Sequence, residues 1–277
     1  MLLPTTKSYI VIGDIHGCID ELKELLIQNN IKIDSRGIID YTSLGNKSII
    51  LLGDFVDKAT EEKIRETINF IYQNYLYLNQ HEQRFYLIIG NHEVVVYRHI
   101  TKDPTLKLTP RVLEEKEKYY NSAGVLEKDE ILKKKFLKLY KESFVWLKYN
   151  YSRDFSVTLT HAPCEEKYLA KDDPISHLKM IKCASRSKNR GVKLDDLIPY
   201  THQEAKDNKH YHIFGHLSQP NIRKYKNKIC IDTSAIYGNS LSCAIIEEDK
   251  LYFNSVPFLN KQKAVTQHYN LLFDFAH

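Results

Sequence analysis

Ser8-Tyr9-Ile10-Val11-Ile12-Gly13-Asp14-Ile15-His16-Gly17 is the stretch on which the fold assignment rests. Its first half is a short apolar run rich in β-branched residues, which predicts a buried strand. Side chains two residues apart in an extended segment point the same way, so Asp14 and His16 leave the end of that strand together. A carboxylate and an imidazole in this arrangement are candidate ligands of one metal ion.

The same pattern, an apolar run followed by a polar residue that can bind a metal, occurs four more times. Asp54 and Asp57 follow residues 48–52, Asn91 and His92 follow residues 84–89, His161 follows residues 155–160, and His216 follows residues 210–214. One such residue after a strand is usually a turn or cap residue. Five runs in series, all followed by Asp, Asn or His, favour a shared metal centre.

Helical segments separate the first three apolar runs. Apolar residues spaced by three and four predict one helix over residues 18–30 and a second from about Thr60 to about Gln80. Strand, helix, strand, helix, strand is the βαβ pattern of an α/β fold. The strands of the second half are short, and their hairpin-like spacing predicts a mainly antiparallel second sheet.

Residues 99–149 interrupt this alternation. Four apolar residues between Leu132 and Tyr140 have the spacing of an amphipathic helix. We therefore expect one domain over residues 1–260 that carries a helical insertion at 99–149, followed by a C-terminal arm at 261–277. The sequence indicates no function for the arm.

Composition indicates an ordinary globular chain of 277 residues, with 43% hydrophobic and 27% charged residues. The formal net charge of +5 suits an anionic substrate, and a lysine-rich surface explains it equally well. The five cysteines include no C-x-x-C pair, which argues against a disulfide framework or a zinc knuckle. No apolar run approaches the roughly 20 residues of a membrane span. We expect a cytoplasmic protein without membrane contact, and export by a route that needs no cleaved signal would leave no trace in the sequence.

The candidate ligands are oxygen and nitrogen donors that suit two divalent cations. Asp14, His16 and Asp54 are expected to hold one ion, and Asn91, His161 and His216 a second. Asp54 has two oxygens and can bridge both. Two ions about 4 Å apart would clamp a phosphate and lower the pKa of a shared water for in-line attack at phosphorus.

The residue after Asn91 is the predicted general acid. His92 would face the leaving oxygen and protonate it. Asp57 and Glu93 are both close enough in the motifs to orient its ring, and the sequence leaves that choice open. The remaining histidines fit no ligand position and are expected to be structural.

Taken together, these motifs resemble the sequence blocks of the calcineurin-like metallophosphoesterases, and more narrowly those of the phosphoprotein phosphatase branch. The blocks are Gly13-Asp14-x-His16-Gly17, Gly53-Asp54-x-x-Asp57, Gly90-Asn91-His92-Glu93, His161 and Gly215-His216. The resemblance spans roughly residues 8–245. It implies an αββα sandwich of two mixed sheets flanked by helices, with a di-metal site at one edge that holds manganese, or iron or zinc. It also implies the ligand and proton-donor roles assigned above.

Substrate-binding positions depart from the family pattern. Lys58 stands where the family has a phosphate-binding arginine, which keeps the charge and loses the bidentate geometry. Arg190 resembles the second phosphate-binding arginine, and Arg186 is the alternative; an ordinary surface arginine is the other interpretation of each. Asp232 lies in a segment similar to one in symmetrical dinucleotide tetraphosphatases and bacterial RNA-repair phosphatase modules, where it would support the site; a turn carboxylate is the other interpretation.

The resemblance favours a metal-dependent phosphomonoesterase that acts on phosphoserine, phosphothreonine or phosphotyrosine in proteins. The single histidine of the last block supports that branch. The enzymatic alternative is hydrolysis of dinucleoside tetraphosphates or of RNA-end phosphates. An inactive scaffold of the same fold is a third hypothesis. The expected partner is a phosphorylated protein or a nucleotide, with nucleic acid only as a substrate.

Overall fold

Two β-sheets packed face to face form the centre of the protein. The structure is a computed structural model and describes residues 1–103, 120–182 and 210–259. In these residues the strands are β1 (Leu2–Leu3), β2 (Ser8–Ile12), β3 (Lys47–Leu51), β4 (Phe85–Leu87), β5 (Trp146–Asn150), β6 (Ser156–Thr160), β7 (Tyr211–Phe214), β8 (Arg223–Tyr225), β9 (Lys228–Cys230), β10 (Ser240–Glu247) and β11 (Lys250–Pro257). The α-helices are α1 (Ile19–Gln28), α2 (Glu61–Leu78), α3 (Asn91–Ile100), α4 (Ser122–Glu127), α5 (Glu130–Glu142) and α6 (Pro174–Ile181).

Both sheets are mixed. The first has the strand order β11-β10-β2-β3-β4, in which β2, β3 and β4 are parallel and the β10–β11 hairpin is antiparallel to β2. The second has the order β1-β5-β6-β7-β9-β8. The predicted fold class, two mixed sheets flanked by helices, is confirmed.

Strand β2 shows why its sequence is an unbroken apolar run. Tyr9 and Val11 pack into the core between the two sheets. Ile10 and Ile12 face the other way, into the core that the first sheet shares with its helices. A strand covered on both faces needs apolar residues at every position, and each such side chain contributes roughly 1.5–3 kcal/mol by burial.

The predicted helices of the first half are confirmed, with ends that follow from local chemistry. The hydroxyl of Thr60 accepts a hydrogen bond from the Lys63 amide at 3.3 Å and caps the start of α2. Glu61 and Glu62 in the first turn favour the positive end of the helix dipole. Helix α1 begins at Ile19, one residue after the predicted start.

The prediction of a mainly antiparallel second sheet is wrong. Strands β6, β7 and β9 pair in parallel, and so do β1 and β5. Parallel neighbours need a crossover of about a dozen residues or more, and the long segments between these strands supply it. Two antiparallel hairpins do occur in this half of the chain: β8–β9 at the edge of the second sheet, and β10–β11, which extends the first sheet.

The interruption between β4 and β6 contains helices and a strand. Helix α5 buries Leu132, Phe136 and Leu139 as the spacing predicted. Residues 146–149, which the expected insertion at 99–149 includes, form part of strand β5. Buried Leu147 and Tyr149 alternate there with more exposed neighbours, which is strand periodicity.

Two further expectations concern cysteines and membranes. Cys18, Cys164, Cys230 and Cys243 are buried, and no disulfide joins them. Within the described ranges, every helix is too short or too polar to cross a bilayer. Cys183, Arg186, Arg190, His202 and the arm at 261–277 lie outside the described residues.

Candidate metal centre

The motif side chains meet where the two sheets come together. Asp14, Asp54 and Asn91 follow β2, β3 and β4 of the first sheet, while His161 and His216 follow β6 and β7 of the second. Close approach of the backbones makes this possible: a Cβ on Gly13 would lie 2.6 Å from the carbonyl oxygen of Ile231. Glycine is therefore needed at the point where the sheets touch.

The carboxylate of Asp54 lies between two groups of imidazoles. Its Oδ1 is 3.4 Å from Nε2 of His161. Its Oδ2 is 3.5 Å from Nε2 of His16 and 3.9 Å from Nε2 of His92. One oxygen of Asp54 thus faces each group of imidazoles, and each group with Asp54 offers ligand atoms to a metal ion.

The second group of candidate ligands surrounds the amide oxygen of Asn91. Nε2 of His161 lies 3.0 Å from Asn91 Oδ1, and Nδ1 of His216 lies 2.8 Å from it. The two imidazole nitrogens are 3.2 Å apart. Together with Asp54, these three residues present one ligand atom each to a common point.

Backbone carbonyls determine which imidazole nitrogens face the centre. Nδ1 of His16 donates to the carbonyl of Val56 at 2.8 Å, and Nδ1 of His161 donates to the carbonyl of Leu52 at 2.8 Å. A carbonyl only accepts, so the proton is on Nδ1 in both rings and the Nε2 lone pairs point toward Asp54. Metal-bound histidines are held in this way.

The buried carboxyl groups of the centre also favour the binding of cations. Burial raises the pKa of Asp54 to about 7, and burial with the charges of Asp232 and Asp54 raises that of Asp14 well above its usual range. Burial, helped by the Lys58 ammonium, lowers the pKa values of His16 and His92. The Lys58 ammonium compensates only part of the negative charge of these buried carboxylates, and divalent ions would supply the rest.

The amine of Lys58 contacts one of the candidate ligand atoms, Nε2 of His16. Its Nζ lies 2.9 Å from Nε2 of His16 and 5.5 Å from the centre of the Tyr237 ring. Burial acts to lower the pKa of Lys58, but Tyr237 and the carboxylates of the centre outweigh it and raise the pKa. A metal ion bound to His16 would compete with this ammonium for the Nε2 lone pair.

Asp14 is held by the loop of the second sheet. The backbone N–H of His216 lies 3.2 and 3.1 Å from its two carboxylate oxygens. A Cβ at position 215 would overlap the same carboxylate, which explains Gly215. Asp14 and His216 thereby fix each other's position.

The geometry decides which carboxylate orients His92. Nδ1 of His92 lies 2.8 Å from Oδ2 of Asp57, and both side chains are buried. Glu93 is used differently: its two oxygens accept hydrogen bonds from the amides of Asp54, Phe55, Val56 and Gly90. Asp57 is therefore the partner of the proposed proton donor, and Glu93 shapes the loop that carries Asp54.

Five motif residues adopt left-handed backbone conformations. They are His16, Asp54, Asp57, Lys58 and His216, with φ between 43° and 68°. This conformation costs roughly 1–2 kcal/mol for a residue with a side chain. Surrounding contacts must hold these residues in the left-handed conformation, and the motif sequences predict neither the conformation nor the contacts.

The sequence analysis missed the residues that provide some of these contacts. Tyr120, Asn121 and Ser122 come from the insertion and contact His92, Lys58 and Asp57 respectively. The one available signal was a polar pair before a short apolar segment, a common helix start. That signal predicts the start of a helix, but it does not indicate which residues the helix contacts.

The remaining substrate-binding candidates lie in different surroundings. Asp232 is buried and accepts a hydrogen bond from the Ser234 amide at 3.1 Å, so it stabilises a turn. The charge of Asp232 also raises the pKa values of Asp14 and Lys58. Both interpretations of Asp232 thus have support, while Arg186 and Arg190 lie outside the described residues.

Comparison with known proteins agrees with this geometry. Residues 8–228 match the family model described as calcineurin-like phosphoesterase. A bis(5'-nucleosyl)-tetraphosphatase [asymmetrical] of Oceanobacillus iheyensis is 28% identical over 239 residues, covering 84% of this chain and 86% of that protein.

Solved structures share the fold at low identity. One assigned as a diadenosine tetraphosphatase superposes with a TM-score of 0.58 at 18% identity, covering 94% of this chain and 98% of the other. A cold-active protein-tyrosine phosphatase of Shewanella sp. gives a TM-score of 0.55 at 16% identity, covering 93% of this chain and 83% of the other.

Proposed function

Because the chain belongs to the calcineurin-like phosphoesterase family, and is therefore a metal-dependent hydrolase of phosphate compounds, we propose that it hydrolyses dinucleoside tetraphosphates. The observation that carries this proposal is the extent of the match to relatives of that name. The match to the Oceanobacillus iheyensis protein covers 84% of this chain, and the family match over residues 8–228 includes every motif residue of the described centre.

Local chemistry beside the centre supports a nucleotide substrate. The ring of Tyr237 and the amine of Lys58 lie together next to His16. An ammonium suits the charge of a polyphosphate chain, and an aromatic ring suits stacking with a base. A phosphoprotein would need the charge but not the ring.

In the proposed reaction, metal ions would activate the phosphate and the water, and side chains would position the ions and supply a proton. We propose two divalent ions, with manganese as the expected metal, held by Asp14, His16 and Asp54 and by Asp54, Asn91, His161 and His216. Such ions would polarise a phosphoryl oxygen and would lower the pKa of a nucleophilic water. For this step His92 must carry a proton on both ring nitrogens: the Nδ1 proton stays bound to Asp57, and the Nε2 proton passes to the leaving phosphate oxygen, which leaves a neutral imidazole.

Phosphoprotein phosphatase activity is the second candidate. It rests on the Asn91-His92-Glu93 block and on the single histidine of the last block, His216, which is followed by Leu217 and Ser218. RNA-end phosphatase activity rests on the Asp232 segment alone. The inactive scaffold is dropped because the family assignment indicates a hydrolase. A cytoplasmic location stays a prediction.

A substrate panel tests the proposal. Wild type and His92→Ala are assayed with manganese, and after chelation, on a dinucleoside tetraphosphate, a phosphopeptide and a 3'-phosphorylated RNA. We expect metal-dependent turnover of the dinucleotide, with kcat reduced about 10²–10⁴-fold in the variant. Preferred hydrolysis of the phosphopeptide or the RNA would replace the proposal with that candidate. Unchanged activity of His92→Ala would refute the role of His92.

A further inference from the structure

Three consecutive residues of the insertion contact the residues around the proton donor. Tyr120, Asn121 and Ser122 lead into and begin helix α4. We propose that these three are positioning residues: they hold the ring of His92 in the orientation from which it protonates the leaving group. The inference rests on the proposed role of His92 and goes beyond the motif residues.

Ser122 fixes the carboxylate that orients His92. The amide of Asp57 donates to the Ser122 hydroxyl at 2.7 Å, and the Ser122 amide donates to Oδ1 of Asp57 at 2.9 Å. Both residues are fully buried. Since Oδ1 is engaged by Ser122, Oδ2 is left to bind Nδ1 of His92, and this pair of bonds sets the plane of the carboxylate.

Asn121 holds the next two residues of the same loop. Its side-chain oxygen accepts from the amide of Lys58 at 3.1 Å, and its side-chain nitrogen donates to the carbonyl of Ala59 at 2.6 Å. Asp57 and Lys58 are consecutive residues in the left-handed conformation. A loop of this shape stays in place because the insertion binds its backbone on successive residues.

Tyr120 restricts the ring of His92 directly. The two rings stack with their centres 4.9 Å apart and their planes 27° from parallel. The hydrogen bond from Nδ1 to Asp57 fixes one atom of the imidazole but still allows the ring to tilt. A stacked ring on its face limits that tilt, so the direction of Nε2 is defined by Asp57 and Tyr120 together.

This arrangement predicts a specific kind of defect. Without a positioned acid, an ester with a good leaving group still reacts, whereas one with a poor leaving group slows markedly. A merely structural role for the insertion would reduce both rates alike. The ratio of the rates for p-nitrophenyl phosphate and phenyl phosphate therefore separates the two explanations.

Four variants and one matched control test the proposal in the full chain loaded with manganese. Tyr120→Leu keeps apolar bulk and removes the flat ring, Tyr120→Phe keeps the ring, and Ser122→Ala removes the hydroxyl. His92→Ala reports the complete loss of the acid. Tyr72→Ala is the control, since this ring of α2 has the Nζ of Lys135 on α5 over its face, 5.6 Å from the ring centre.

We expect His92→Ala to raise the ratio at least about tenfold, and Tyr120→Leu and Ser122→Ala to raise it about three- to tenfold, as partial loss of a general acid should. Tyr120→Phe and Tyr72→Ala should leave the ratio within about twofold of wild type. Unfolding temperatures of all variants show whether a change in the ratio accompanies loss of the fold.

An NMR measurement gives an answer that is independent of turnover. In the zinc-loaded protein, the Nδ1 proton of His92 bound to Asp57 should give a low-field imidazole resonance, assigned by its absence in His92→Ala. We expect the resonance to persist in Tyr120→Phe and to broaden or vanish in Tyr120→Leu and Ser122→Ala. If neither ester is hydrolysed, this measurement decides the proposal.

The outcomes separate the inference from the function on which it rests. An unchanged ratio in His92→Ala would refute the acid role itself. A raised ratio in His92→Ala with unchanged ratios and an intact resonance in Tyr120→Leu and Ser122→Ala would overturn the positioning role alone.

Discussion

Glu93 offers a direct test of how the centre is held together. Its buried carboxylate accepts hydrogen bonds from Asp54 at 2.8 Å, Gly90 and Phe55 at 2.9 Å each and Val56 at 3.3 Å, in every case from the backbone amide. We predict that Glu93→Ala destabilises the metal-free protein severely and that Glu93→Gln does so mildly.

The magnitude follows from two opposing effects. Four buried amides that lose an acceptor at about 2 kcal/mol each cost about 8 kcal/mol. Burial raises the pKa of Glu93 from 4.5 to about 7, so removing the charge recovers about 3 kcal/mol above that pH. The difference predicts a loss of about 5 kcal/mol for Glu93→Ala. Glu93→Gln keeps one oxygen and two of the bonds, and should lose about 1–2 kcal/mol.

Urea unfolding at about pH 8 with a chelator present measures these free energies, because the carboxylate is charged there. Glu66→Ala is the matched control: this exposed carboxylate pairs with Lys63 on α2 and should change stability by less than about 1 kcal/mol. The reasoning is refuted if Glu93→Ala loses less than about 2 kcal/mol, or if Glu93→Gln is as damaging as Glu93→Ala.

Three further predictions concern the centre. Because burial raises the pKa of Asp54 to about 7, its carboxyl group must lose a proton to bind a metal ion below that pH. Manganese affinity, measured by titration calorimetry, should therefore fall about tenfold per pH unit below about 7. Constant affinity down to about pH 5.5 would contradict this prediction. Gly215→Ala should displace the Asp14 carboxylate and weaken manganese binding about 10–100-fold with little change in unfolding temperature. Unaltered affinity would show that the loop at Gly215 moves to accommodate the methyl group and leaves Asp14 in place. Asp57→Asn should lower kcat about 10²–10⁴-fold with metal affinity unchanged, since His92 loses the carboxyl group that orients its ring. Steady-state kinetics showing a loss under about threefold would argue for another orienting group.

Strand ends were the most predictable part of the site. Apolar runs have a strong periodic signal, and the polar residues after them necessarily fall at the strand ends. The structure accordingly brings Asp54, Asn91, His161 and His216 together at the junction of the sheets. Order along the chain and the βαβ pattern were sufficient for that placement.

Long-range contacts were less predictable, for physical reasons. Whether Asp57 or Glu93 orients His92 depends on side-chain distances that adjacent motif positions do not determine. The parallel pairing of β6, β7 and β9 depends on crossovers rather than on the strands themselves. The stacking of Tyr120 on His92 joins an insertion to a motif, and no periodic pattern reports such a contact.

The contact between Asp14 and His216 closes a loop of 202 residues. Closing so long a loop is entropically costly, and packing of both sheets must offset that cost before the ligands can meet. The complete centre is therefore expected to form late in folding, after the transition state has been crossed. Bound ions would then slow unfolding of the native chain and leave its folding rate nearly unchanged.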